Sequence, residues 1–476
     1  MAATEARSEV ERELKFELRD PVELERLGGR PLEPRVFSSV YYDTDGLRLI
    51  RHGQTLRRRL ENGVNVWQLK LPCGDARLEL EEPGGPGGPP EPLAALLSGV
   101  LRRCELGPVA NMATRRSGRR VDGVEVTLDE VAVLDGRAVV RRFVEIEAEL
   151  VDGTAEALDE IARKLRELGA RRGNGTPKVL RAVEISEPPD IAAAPAPLGP
   201  LRAYLSAQCD ELLQFDPVVR ARDDADAVHD MRVAVRRLRS VLRTSKPMLA
   251  EQWVDSLREE LDWLADLLGA VRDLDVLRKN LHRDASGIDA GRAACTDELL
   301  RPLDDEHRRA REALLEGMRE QRYYRLLDAL EAAAEAPPTR RSDLALERLA
   351  AKEFEKLRKR GRGLTRMDDQ QLHKTRIRGK RARYAAELVK PSRGKQAKRL
   401  ISAAKEFQDV LGDYQDAVVA LPRLRELARL APATDCAVLA GRLIERQEQR
   451  KRRAHSELPD AWRRVKRRGR RAYDGS

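Results

Sequence analysis

A chain of 476 residues is longer than one hydrophobic core organises, so two or three domains are expected. With 41% hydrophobic and 36% charged residues it has the composition of a soluble folded protein, and its formal net charge of +10 suits an anionic partner. Only 4% of residues are aromatic, which counts against single-stranded nucleic acid, and no apolar run is long enough for a membrane span.

The N-terminus is charged from the start (Glu5, Arg7, Glu9) and lacks the apolar region of a signal peptide. Cys73, Cys104, Cys209, Cys295 and Cys436 are dispersed and form no CxxC pair. That pattern fits a reducing cytoplasm better than a disulfide framework. The expectation is a cytoplasmic protein with no membrane partner.

Residues 1–186 read mostly as strands. The runs Val36 to Tyr42, Thr55 to Glu61, Val64 to Leu71, Arg77 to Glu81, Val124 to Leu128 and Val139 to Leu150 alternate or are β-branched. Asn62-Gly63, Asp122-Gly123, Asp135-Gly136 and Asp152-Gly153 supply turns between them. Hairpin after hairpin implies an antiparallel sheet or closed barrel. Pro83 to Pro92 reads as a loop, and Leu158 to Leu168 as one amphipathic helix.

Glu11, Glu13 and Lys15 occupy alternate positions, so a strand places all three on one face. The same parity joins Arg57 with Arg59, Arg77 with Glu79 and Glu81, and Glu145 with Glu147 and Glu149. A solvated outer face would also look like this. Taken together, however, clustered carboxylates suit a hard divalent cation, and interleaved Arg and Lys suit phosphates.

The segments carrying those charges resemble the CYTH family, the triphosphate tunnel metalloenzymes. They are Glu11-x-Glu13-x-Lys15, YYDT at Tyr41 to Thr44, LRRR at Leu56 to Arg59, WQLK at Trp67 to Lys70, VTLDE at Val126 to Glu130 and EIEAEL at Glu145 to Leu150. The resemblance spans residues 9 to about 185 and implies an eight-stranded antiparallel tunnel with charged residues pointing inward. It implies divalent metal, Mg²⁺ or Mn²⁺, on Glu11, Glu13, Glu79, Asp129, Glu145 and Glu147. It implies triphosphate on Lys15, Arg57, Arg59, Lys70, Arg116, Lys178 and Arg181, with Glu11, Glu13 and Lys15 as the catalytic set. Lys178 and Arg181 lie in TPKVLRAV, where Pro177 departs from the family's usual serine. Arg115 and Arg116 point to opposite strand faces, and the resemblance selects Arg116. The implied chemistry is metal-assisted phosphoanhydride hydrolysis.

Residues 187–200 (EPPDIAAAPAPLGP from Glu187) read as a Pro/Ala linker. From 201 to 476 the period becomes helical, as in Trp253 to Leu268, Asp297 to Arg319 and Glu347 to Arg358. Ala336 to Ser342 interrupts the pattern, and Lys451 to Ala472 reads as a basic helix or tail.

This region repeats itself, about 201–335 and 343–476. His229, Arg232, Arg236, Arg237 and Arg239 recur 144 residues later as His373, Arg376, Lys380, Arg381 and Arg383. At about 100° per residue, offsets zero, three, seven and ten share a helical arc of roughly 80°. A stripe of like charge repels itself, so a polyanion between the two stripes is the natural counter-charge. A second block, Leu268-Gly269 then Asp273, recurs as Leu411-Gly412 then Asp416.

VHDMRVAVRRLR (Val228 to Arg239) and LHKTRIRGKRAR (Leu372 to Arg383) resemble the CHAD family. That resemblance implies two pseudo-symmetric helical bundles around a basic groove, and inorganic polyphosphate bound by the ten residues of the two stripes. The whole chain therefore reads as α+β: a β tunnel followed by an all-α domain. The expected function is a metal-dependent triphosphatase with a polyphosphate-binding domain, cytoplasmic and located at polyphosphate deposits. A non-catalytic polyphosphate-binding protein is the alternative, with adenylate cyclase and nucleic-acid binding ranked below it. Oligomeric state is not set by the sequence.

Overall fold

A computed structural model describes residues 7–18, 22–74, 76–173, 176–183, 198–288, 293–340, 344–431 and 433–473. They form two compact units, one of residues 1–188 with 213–227, the other of 189–212 with 228–476. Of the expected linker, residues 187–197 lie outside the described residues, and 198–200 open a helix.

The first unit is a closed antiparallel barrel. Its strands are β1 (Arg7–Glu17), β2 (Arg30–Asp43), β3 (Thr55–Glu61), β4 (Val64–Cys73), β5 (Ala76–Pro83), β6 (Gly107–Val121), β7 (Val124–Asp135) and β8 (Ala138–Leu150), with a two-residue β9 (Arg171–Arg172). They pair in the order β5-β4-β3-β2-β6-β7-β8-β1-β9, and β1 also pairs with β5 to close the ring. Three short helices, α1 (Arg48–Arg51), α2 (Glu91–Leu96) and α3 (Ser98–Leu101), lie between strands, and α4 (Ala155–Glu167) follows β8.

Two expected hairpin turns are of the tightest kind. Asn62 and Gly63 have φ of 50° and 79°, and Asp122 and Gly123 have φ of 50° and 77°. Positive φ at both central residues matches the right-handed twist of the flanking strands. β6 was not among the expected runs. Its sequence, GPVANMATRRSGRRV, is poor in β-branched residues, and its strand state comes from pairing with β2 on one side and β7 on the other.

Pleating divides each strand between two environments. Phe16, Val124, Val126, Ile146 and Ala148 point outward and are sealed by Leu158, Ile161, Ala162 and Leu165 of α4. Their sequence neighbours Lys15, Glu145 and Glu147 therefore point inward. Thr154 caps α4 by accepting from the Ala157 N–H at 3.3 Å.

The helical part of the chain comprises α5 (Leu198–Ala221), α6 (Ala225–Ser245), α7 (Glu251–Ser286), α8 (Ala293–Arg319), α9 (Gln321–Glu335), α10 (Leu346–Arg360), α11 (Asp369–Leu388), α12 (Lys390–Arg429) and α13 (Thr434–Tyr473). It forms two pseudo-symmetric bundles. One core joins α10 to α13 through Phe354, Leu372, Phe407, Leu458 and Trp462. A second core, including Leu281, Leu300, Leu424 and Leu443, ties α7 and α8 to α12 and α13. Asp368 opens α11 with a capping box: it accepts from the Gln371 N–H at 2.7 Å, and the Gln371 side chain reaches back to the Asp368 N–H.

Of the two readings of Lys451 to Ala472, helix is the one observed, within α13. One expectation changes here. Cys295 and Cys436 are not free: they form a disulfide, with Cα atoms 5.4 Å apart. The packing of α8 against α13 brings together residues 141 apart in sequence, which no local spacing signals. Among the described residues no helix is long and apolar enough to cross a membrane.

Two glycines of α13 predict opposite outcomes. A Cβ on Gly469 falls 2.0 Å from ring carbons of buried Phe354, whereas one on Gly441 meets nothing within 4 Å. Gly469→Ala should destabilise by about 1–3 kcal/mol through overpacking. Gly441→Ala should stabilise by about 0.5–1 kcal/mol, the ordinary helix preference for alanine. Denaturant unfolding of both variants checks this, and equal shifts would contradict the packing.

Candidate functional site

The barrel interior holds charges of both signs in contact. Register explains the neighbours: Lys15 lies opposite Glu147, Asp129 opposite both Arg116 and Glu145, Lys70 opposite Glu79, and Arg57 opposite Gln68. Across the β6–β7 pair, Arg116 donates bidentately to Asp129 with both contacts at 2.7 Å, and reaches Glu147 at 2.8 Å. Arg115 turns outward with its side chain 72% exposed, against 20% for Arg116, so the choice of Arg116 agrees with its direction.

Lys178 enters from the short 3₁₀ turn Lys178–Arg181. Its Nζ lies 2.6 Å from Asp129, 3.0 Å from Glu145 and 3.0 Å from Glu147. These three carboxylates place one oxygen each within 4.8 Å of one another, the only such acidic group in the barrel among the described residues. Lys15 completes the cluster, 2.6 Å from Glu147, 3.6 Å from Glu13 and 3.8 Å from Glu145.

A second cluster is centred on Lys70, 2.5 Å from Glu11 and 2.9 Å from Glu79. Five of the six expected metal-binding carboxylates thus fall into two groups, Asp129, Glu145 and Glu147 around Lys178 and Glu11 with Glu79 around Lys70, while Glu13 lies beside Lys15. Arg57 donates to Gln68 at 2.6 Å and to the Tyr41 hydroxyl at 3.3 Å. Arg59 pairs with Glu61 and stacks on the Phe37 ring at 4.1 Å, and Arg181 stacks on Phe143 at 4.1 Å while lying 3.6 Å from Glu145.

Charge states follow from crowding. Burial, reinforced by a hydrogen bond with Glu79, pushes the Glu11 carboxyl up to about 8, so this pair shares a proton at neutral pH. Burial likewise raises Glu149 to about 7, with Glu13 adding to it and Lys70 opposing. For Glu147 burial opposes ionisation, but Lys15, Lys178 and Arg116 outweigh it and hold the group well below the usual carboxylate range. Asp129 is lowered in the same way: Arg116 and Lys178 overcome its burial. Burial and the arginines around it lower Arg59 to about 10.

The helical unit carries its own cleft of about 600 Å³. His229, Arg232, Arg236, Arg237, His373, Arg376, Lys380 and Arg383 line it, which is eight of the ten residues of the sequence stripes. Arg239 instead pairs with Asp262, and Arg381 lies toward Arg243 and Arg378. Asp273 and Asp416 of the second repeated block line the cleft, and the guanidiniums of Arg232 and Arg376 lie beside Gly269 and Gly412 of the same block. Arg232 also contacts Asp273 at 3.1 Å, and His373 meets Gln415 at 3.1 Å.

Lys380 stands out. No ion pair joins it to a carboxylate among the described residues, and burial together with Arg236, Arg376, Arg232 and Arg383 lowers it to about 6. Buried Tyr384 accepts from Arg236 at 2.7 Å and from Arg383 at 3.1 Å, holding both guanidiniums in place.

Sequence reasoning did not single out Gln68, Tyr41, Phe37 or Tyr384 as site residues. Gln68 shares strand parity with Lys70, so its direction was readable. Tyr384 lies off the helical stripe, and Lys405 and Arg450 reach the cleft from α12 and α13 with no periodic signal.

A closed antiparallel barrel with an ionic interior, joined to a duplicated helical unit with a basic cleft, defines the class. The CYTH domain matches residues 9–180 and the CHAD domain residues 203–425. The uncharacterized protein Rv2226 of Mycobacterium tuberculosis is 32% identical over 482 aligned positions, covering 92% of this chain and 91% of that one. The chain belongs to the family that joins a CYTH domain to a CHAD domain. Among solved structures, PptA from Streptomyces chartreusis matches 56% of this chain and 98% of its own at 24% identity and a TM-score of 0.46. The CHAD domain from the plant Ricinus communis matches 58% and 91% at 25% identity and a TM-score of 0.42.

Two predictions follow from these charges. Lys178→Met removes a buried ammonium from three carboxylates and should cost about 3–5 kcal/mol in denaturant unfolding. Adding Glu145→Gln should recover part of that loss; no loss at all would show that Arg116 and Lys15 neutralise the cluster alone. Lys380 is predicted to titrate. Its folded value near 6 lies below the unfolded 10.5, so the unfolded chain binds more protons between those values and stability rises with pH across that window. Lys380→Met should therefore raise the thermal midpoint more at pH 6 than at pH 10, and an equal gain at both would refute the shift.

Proposed function

We propose that the barrel is a metal-dependent triphosphatase acting on a short inorganic or organic triphosphate, and that the helical unit binds inorganic polyphosphate. The observation that carries the first half is the closed ring whose interior gathers guanidinium and ammonium groups interleaved among carboxylates. Arg57, Arg59, Lys70, Arg116, Lys15, Lys178 and Arg181 supply the positive charge that three linked phosphates require. Hydrolysis breaks one P–O–P bond, with water delivering oxygen to the terminal phosphorus, and releases phosphate and diphosphate.

The donor set fits a hard divalent cation such as Mg²⁺ or Mn²⁺. Asp129, Glu145 and Glu147 offer only oxygen, and their oxygens converge within 4.8 Å. The proton shared by Glu11 and Glu79 marks a second place where negative charge exceeds the available cations. When bound, such a cation supplies charge neutralisation to the phosphate oxygens and orients water. The chain's own part is to align the phosphates through the arginines and lysines, and to hold Glu147 ionised against Lys15, with Glu13 beside the same ammonium.

For the helical unit the carrying observation is the basic cleft where Lys380 faces Arg236, Arg376, Arg232 and Arg383 without an ion-paired carboxylate among the described residues. An entering polyphosphate would restore charge to Lys380 and relieve the repulsion. The same reading places the protein in the cytoplasm, at polyphosphate deposits.

A second reading, a tunnel that binds without hydrolysing, draws on Lys178, whose ammonium already touches all three clustered carboxylates. Phosphate release from tripolyphosphate, ATP, thiamine triphosphate and long-chain polyphosphate, with and without Mg²⁺ or Mn²⁺, separates the two. The enzyme reading expects metal-dependent cleavage favouring a triphosphate, and cyclic AMP from ATP would instead reveal a cyclase. Glu11→Gln and Glu13→Gln should lower turnover about 10²-fold or more with the fold intact, the scale set by removing one preorganised group. Full turnover in both would remove them from the catalytic set.

A further inference from the structure

The C-terminal half of α13 carries a second concentration of positive charge that the cleft does not use. Arg463, Lys466, Arg467, Arg470 and Arg471 recur at i, i+3, i+4, i+7 and i+8, one face of a helix over about 12 Å. These five residues alone line a surface cavity of about 390 Å³. An adjoining cavity of about 360 Å³ shares Arg463, Lys466 and Arg470 and adds Arg358 and Arg362. Neither is lined by a carboxylate, and neither shares a residue with the cleft.

Position along the helix separates this face from the rest of α13. Toward the N-terminal end cations are paired: Arg450 with Asp284 at 3.1 Å, and Lys451 with Asp369 at 2.8 Å. On the distal face Arg463 pairs with Asp460, while Lys466, Arg467, Arg470 and Arg471 form no ion pair among the described residues. The face also lies beyond residue 425, where the match to the CHAD domain ends.

We propose that this face of α13 is a second binding site for a phosphate polyanion, and that its occupant is a long inorganic polyphosphate chain. Charge complementarity asks for an anion with closely repeated charges. No ring is offered for stacking a base, since Trp462 is buried against Phe407. The five cations of the face suit closely spaced phosphate oxygens. A chain long enough to engage both this face and the cleft gains affinity by linkage, whereas a triphosphate occupies one site at a time. The choice of inorganic polyphosphate rests on the reading of the cleft given above; the anion site itself does not.

The test uses the full chain with Arg467→Gln, Arg470→Gln and Arg471→Gln combined, all at exposed positions where glutamine preserves helix preference. Binding of tripolyphosphate, long-chain polyphosphate and duplex DNA is titrated over a range of salt. The expected result is unchanged tripolyphosphate affinity, long-chain affinity lowered about tenfold or more, and a salt slope shallower by about 2, three charges at about 0.7 each. Unchanged long-chain affinity and slope would overturn the site. Loss confined to duplex DNA would overturn the occupant in favour of nucleic acid. A parallel variant, Arg376→Gln with Lys380→Gln, keeps the failures apart. If it binds every polyphosphate like the parent, the cleft reading falls, while a loss in the α13 variant still establishes the helix site.

Discussion

Withdrawing an ionised group from water is tolerable only when an opposite charge meets it or the group gives up its own charge. Both units are organised by that constraint, and they meet it differently. In the barrel nearly every inward charge touches its opposite, so Asp129 can be fully buried and still ionised. Where carboxylates outnumber cations locally, as at Glu11 and Glu79, a proton makes up the difference. In the cleft cations outnumber carboxylates, nine arginines and lysines against Glu211, Asp230, Asp273, Asp409 and Asp416. Arginine cannot discharge at physiological pH, so the lysine among them gives way, and Lys380 loses its proton. The cleft therefore keeps unmatched positive charge, whereas the charges of the barrel are largely balanced among themselves.

Duplication has not preserved symmetry in these solutions. Arg237 and Arg381 occupy equivalent places 144 residues apart, yet only the first lines the cleft. Arg237 lies 3.1 Å from Glu211 and 3.5 Å from Glu387. The residue equivalent to Glu387 in the first copy is Arg243, and it faces Arg381, which burial and these neighbours lower to about 10. Conversely Arg383 turns into the cleft beside Tyr384, while its counterpart Arg239 pairs with Asp262. The first copy has Ser240 where the second has Tyr384, so one hydroxyl orients guanidiniums from both copies, Arg236 and Arg383. The cleft is therefore a joint product of two unequal halves.

How much of this was legible depended on whether the cause was local. Strand parity is local: it put Glu11, Glu13 and Lys15 on one face, and Arg57 with Arg59, but the partners come from neighbouring strands, so Glu11 joins Lys70 and Glu79 while Lys15 joins Glu147. Hairpin turns are local too, since Asn62-Gly63 and Asp122-Gly123 carry their positive φ in their own residue types. Helical offset placed His229, Arg232 and Arg236 together, but it also put Arg239 in the arc and left Arg237 outside it, the reverse of what lines the cleft, because that choice rests on acids contributed by other helices. β6 was hidden for the same reason, its strand state being imposed by two neighbours rather than by its own side chains. The disulfide between Cys295 and Cys436 and the arrival of Lys405 and Arg450 in the cleft are consequences of helix packing alone. Charge type and spacing announce what chemistry a site handles. Which of several equivalent cations is left unpaired is a property of the assembled neighbourhood.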